Sequence, residues 1–251
     1  MQLSKPHDVI IAPVVARVDA RYAVGRVLLP ICAAIMALHV VAVAVRILLR
    51  PGGVLADVLS LLNAAQERSL ASWWTSALLV TCCLVAVAVA RLAGADSGTG
   101  RAGRSWMVLA VIFALLSIDE VVSLHERGAK WTSGVFETGS LLGRLGWTIP
   151  AAAALVLSLL FLVPAFRAIP ARSRALILAG LATSIAGALG LEVVNVLLTD
   201  AGARYLWRHL AMAVEEAAEM VGVVIVLLGV LTAVRVRRSD RRLTVAYEDD
   251  N

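Results

Sequence analysis

Long apolar runs, broken at near-regular intervals by short polar connections, set the pattern of this chain. Six of them stand out, at about 24–49, 71–93, 106–127, 147–169, 175–198 and 209–235. At ~1.5 Å per residue each is long enough to cross a hydrocarbon layer of roughly 30 Å. The pattern predicts an all-α integral membrane protein, a six-helix bundle with both ends of the chain on one side. It divides the chain into a leader at 1–23, a six-span membrane domain at 24–235 and a mixed basic and acidic tail at 236–251. Between the first two runs Pro51-Gly52-Gly53 breaks the chain, and Val54, Leu55, Val58, Leu59 and Leu62 then recur at helical spacing. That spacing predicts a short amphipathic helix over about 54–66, lying on the outer surface as a lid with Asp57 and Asn63 accessible from outside.

Composition narrows the class. With 60% hydrophobic and 16% charged residues and a mean hydropathy of +0.86, the chain is too apolar for an ordinary soluble domain. The net charge of +5 does not point to nucleic acid, because the basic residues sit at run ends and in short connections. Fifteen of them fall on the side of the two termini and eight on the other, which predicts cytoplasmic N- and C-termini. The tail arginines from Arg235 to Arg242 also suit anionic headgroups, so membrane lipids are expected partners. All six tryptophans lie near run ends and are expected to anchor at the interface. Cys32, Cys82 and Cys83 fall inside apolar runs with no C-x-x-C spacing, so neither a disulfide framework nor a thiolate zinc site is indicated. The stretch before Arg26 lacks a compact apolar core with a small-residue cleavage site and is expected to stay as a leader.

Against this background the acids stand out. Seven of the eighteen lie inside the runs: Asp119, Glu120 and Glu126 in the third, Glu192 in the fifth, and Glu215, Glu216 and Glu219 in the sixth. Ionisable groups in a bilayer core are expensive and persist mainly where they pair, line water or bind something. Counting rise along the helices puts all of them in the outer half, with His39 at a similar level. At about 100° per residue Asp119, Ser123 and Glu126 share one side of their helix, and Glu192 and Asn195 lie on or beside the small-residue stripe Gly180, Ser184, Gly187 and Ala188.

Taken together, Asn63-x3-Glu67-x4-Ser72-Trp73, Ser117-Ile-Asp119-Glu120-x4-His125-Glu126, the fifth-run glutamate and Glu215-Glu216-x2-Glu219 resemble an uncharacterised family of bacterial multipass membrane proteins. The resemblance implies a bacterial cytoplasmic (inner) membrane location and groups Glu67, at the outer mouth of the second helix, with the buried acids. It carries no activity. The chain departs from the family in having Ala71 where a proline often precedes the Ser/Thr-Trp pair.

Seven anions in a dry layer must take up protons or recruit cations. The chemistry expected is therefore a divalent metal, Fe or Mn favoured, held by Asp119, Glu126, Glu192, Glu215, Glu219, Glu216 and His39, with Glu120, His125 and Glu67 as candidate catalytic groups. No Glu-x2-His of the ferritin-like kind occurs. For His39 a core histidine bonded to a backbone carbonyl is the alternative, and for the acids mutually hydrogen-bonded protonated carboxyls. Two functions are open: a metal-dependent enzyme, oxidoreductase or hydrolase, acting on a lipid or other apolar substrate, or a proton- or cation-coupled transporter component.

Overall fold

The computed structural model describes residues 16–17, 20–66, 68–96, 100–123, 148–239 and 242–248. Its helices are α1 (Ala20–Leu49), α2 (Gly53–Leu61), α3 (Leu70–Asp96), α4 (Arg101–Val122), α5 (Thr148–Arg167), α6 (Ala171–Ile185), α7 (Glu192–Asp200) and α8 (Tyr205–Thr232). A π-helical turn, Ala186–Leu191, joins α6 to α7 without a break. Among the described residues four helical stretches are long and apolar enough to cross a membrane: Arg21–Leu49, Leu70–Ala95, Arg101–Val122 and Ala171–Asp200. The helix α8 has the length, but Glu215, Glu216 and Glu219 interrupt its apolar sequence. Large apolar side chains such as Val41, Leu84, Leu115 and Leu160 are exposed on the helix exteriors, where hydrocarbon would solvate them.

Packing makes α8 the hub. It lies against α1, α3, α6 and α7; α3 pairs most extensively with α4, and α5 packs on α4. The contact between α6 and α8 depends on glycine. A Cβ on Gly180 would stand 2.7 Å from the Val226 amide, one on Gly222 2.6 Å from the Gly180 carbonyl, and one on Gly229 2.9 Å from the Ile177 amide. The small-residue stripe read from the sequence is thus the seam where two backbones meet. The apolar core runs through the lower half of this assembly, with Cys82, Ala86 and Val89 of α3, Leu109 and Phe113 of α4, and Val223, Val224, Leu227 and Val230 of α8.

At that end the chain forms a three-stranded antiparallel sheet, β1 (Ala16–Arg17), β2 (Val234–Ser239) and β3 (Arg242–Tyr247), in the order β1-β2-β3. Residues assigned to a leader and a tail therefore meet at one end of the molecule. The period-2 alternation in Val234-Arg-Val-Arg and Leu243-Thr-Val-Ala was obscured by the density of arginine. Arg235 forms an ion pair with Glu248, which holds its guanidinium above its usual value. Trp106, expected at the interface, is fully buried, and its indole N–H donates to Tyr247 Oη at 3.3 Å. Trp73 and Trp207 are exposed near the opposite end, as anchors should be.

Candidate functional site

At the end remote from the sheet the interior turns polar. Of the buried polar residues, His39, Asn63, Ser69, Ser72, Thr75, Ser76, Ser117, Ser123 and Asn195 all lie there. Their local roles explain part of the sequence motifs. Asn63 closes a tight turn, Oδ1 accepting the Ala65 amide at 3.2 Å, and Ser69 caps α3 by accepting the Ser72 amide at 3.2 Å. Ser76 and Ser117 pair through their hydroxyls at 2.8 Å, pinning α3 to α4. Glu120 comes three residues after Ser117, so this polar clasp fixes where the α4 carboxylates stand.

The helix α4 ends earlier than its apolar run. Ser123 adopts a left-handed conformation (φ 53°) and its amide donates to the Asp119 carbonyl at 2.6 Å, closing the helix after Val122. Asp119 and Glu120 therefore occupy its last turn. Glu67, His125 and Glu126 lie outside the described residues. Glu192 opens α7, and its side chain also lies outside them.

The acids of α8 look two ways. Glu216 is in electrostatic reach of Glu120 on α4 as well as of Glu215 and Glu219 on its own helix, and each repels it. Glu215 instead accepts Asn195 Nδ2–H from α7 at 2.8 Å, and the Glu219 carbonyl accepts Ser184 Oγ–H from α6 at 3.2 Å. Gly187, in the π turn, makes this approach possible: a Cβ there would meet the Glu215 carbonyl and Ala218 at 3.1 Å. Asn195 of α7 and the π turn thus lie against the acid-bearing stretch of α8, with Glu120 of α4 in electrostatic reach of Glu216. Asn195, which the sequence pattern set beside Glu192 on one stripe, was not counted there among the candidate ligands.

His39 has both ring nitrogens committed to the main chain: Nδ1 accepts the Ala64 amide at 2.9 Å, and Nε2 lies 3.3 Å from the His209 carbonyl. It braces the α2–α3 connection against α1 and α8, and a metal would have to displace one of those bonds. His209 stacks with Tyr205 (centroids 4.1 Å apart), and its Nδ1 is buried with no partner among the described residues. It stands two helical turns, about 10 Å, from Glu216, too far to share an ion with it. Among the described residues no three His, Cys, Asp or Glu side chains converge as a metal-holding group.

Comparison with known proteins gives one result. Neither the curated proteins nor the solved structures yield a match. A family described as Domain of unknown function (DUF8692) matches residues 28–234, from within α1 through α8, and the chain belongs to that family.

Proposed function

We propose that the protein is a six-span protein of the bacterial cytoplasmic membrane, with cytoplasmic termini and an acidic layer in the outer half that binds one or two divalent cations. The meeting of leader and tail in one sheet supports an even number of crossings, and the 15 to 8 basic asymmetry supports the orientation. What supports the cation reading is that Glu216 lies within electrostatic reach of Glu120 on α4 and of Glu215 and Glu219 on its own helix, while Glu215 is held by Asn195 of α7. Like charges gathered in a low-dielectric layer recruit cations or protons. The chain's only lysines, Lys5 and Lys130, fall outside the apolar runs.

The layer is a site and not a path. Beneath it, among the described residues, Leu79, Cys82, Val223, Val224 and Leu227 form an apolar layer, which disfavours a proton or ion conduit. Ile118 and Val121 are exposed on the same turn as Glu120, so a lipid or other apolar substrate reaches the layer laterally. Glu215, Glu216 and Asn195 would hold the ion, which would supply Lewis acidity there, and Glu120 on the facing helix is the candidate proton acceptor.

Metal analysis of protein purified without chelator tests the proposal. The expected content is about one or two divalent ions per chain, removed by EDTA and restored by Mn2+. Protein that is metal-free and takes up no divalent ion would overturn it and favour proton-coupled transport.

A further inference from the structure

We infer that the side-chain oxygen of Asn195 is a ligand of this cation, and that the ion is hard and partly hydrated, of the Mg2+ or Mn2+ class. The inference rests on the acidic layer being a cation site. Asn195 is 9% exposed and sits on α7 directly after the π turn. A π turn inserts an extra residue, rotating the next helical segment by about 100° relative to an unbroken α-helix, and such turns recur at functional sites. The rotation aims Asn195 at α8. There its Nδ2 donates to Glu215 Oε2 at 2.8 Å, while Oδ1 is buried with no partner among the described residues. Exchanging the two amide atoms would set oxygen against carboxylate, so the bond to Glu215 fixes the orientation.

Oδ1 is thus a buried acceptor beside carboxylates that are themselves acceptors. A cation satisfies it and relieves their repulsion together. Thr75 adds a second observation. Cys82 Sγ lies 3.9 Å from the Val223 carbonyl, and α3 and α8 run in the same direction; seven residues earlier, two turns up each helix, stand Thr75 and Glu216. Thr75 Oγ1 is likewise buried with no partner among the described residues. Among the described residues the ligands on offer are therefore carboxylate, amide and hydroxyl oxygens. Ions of the Mg2+ class are held by one or two carboxylates and keep several waters, and such a set needs only Glu215, Asn195 and water here.

The experiment is Mn2+ binding to the purified full chain in detergent, with Mg2+ as competitor. Wild type is expected to bind Mn2+ and to release it to Mg2+, and Asn195→Ala to bind about 10–100-fold more weakly. Asn195→Asp, which keeps an oxygen in place, is expected to bind at least as tightly as wild type. If Asn195→Ala does not fold, Asn195→Asp decides: weaker binding there overturns the inference. Unchanged affinity in Asn195→Ala, alongside a loss in Glu216→Gln, sinks the ligand role of Asn195 and leaves the cation reading standing. Mn2+ that Mg2+ cannot displace contradicts the class of ion. A wild type that binds neither ion removes the cation reading itself.

Discussion

Gly222 sits where α6 and α8 come close together, three residues below Glu219. A methyl group there would fall 2.6 Å from the Gly180 carbonyl and 2.7 Å from the Ser184 amide, both backbone atoms that cannot rotate away. Gly222→Ala is expected to cost about 1–3 kcal/mol, the range for forcing extra volume into a packed seam, whereas Gly94→Ala, which meets nothing, should be neutral or better. Thermal unfolding of the two variants in detergent checks this; equal stability would mean that α6 and α8 do not meet at this seam. At the same scale, His39 illustrates the limit of sequence. Its depth was legible, but whether its nitrogens faced a metal or the backbone depended on where residues 25 and 170 positions away would fold. No local pattern carries that information.

At the scale of elements, the apolar runs located the helices and missed what ends and joins them. Arg50 stops α1 in a left-handed conformation (φ 45°) just before Pro51, as the sequence suggests. Ser123 stops α4 in the same way inside an apolar run, and no glycine or proline marks it. The π turn is equally silent, because Ala186-Gly-Ala-Leu-Gly-Leu reads as ordinary helix. The surface helix over 54–66 is present as Gly53–Leu61, with Val54, Leu55 and Val58 exposed and Leu59 buried. Arg46 donates to the Ala56 carbonyl at 2.9 Å, tying α2 to α1. One expectation changes. Asp57 is exposed, but Asn63 is 2% exposed and held in its turn. A cysteine at Asp57 should react with a membrane-impermeant thiol reagent added outside the cell, one at Asn63 should not, and one at Asn251 should react only after lysis. Labelling of the Asn251 position in intact cells would reverse the orientation.

For the whole molecule, hydropathy sufficed for the membrane class, since the long apolar runs are long apolar helices. The order of packing did not follow from it. That α8 would be the hub depends on glycines matched between α6 and α8, and the period-2 strands at the chain ends were hidden by their arginines. The central claim is that repulsion within this hub is relieved by a cation. Replacing Glu216 with Gln keeps the volume and removes one of the repelling charges. The most direct measurement is therefore the unfolding temperature of wild type and Glu216→Gln, each in EDTA and in saturating Mn2+ or Mg2+. The prediction is a reversal of order: the variant at least as stable as wild type in EDTA, and wild type the more stable once the ion is bound, because the ion raises wild type over its own ion-free state by RT ln(1 + [L]/Kd), about 2.7 kcal/mol at a hundredfold excess over Kd. A variant less stable than wild type in EDTA, with neither protein responding to divalent ions, would contradict the claim and show the carboxyls to be protonated, hydrogen-bonded struts.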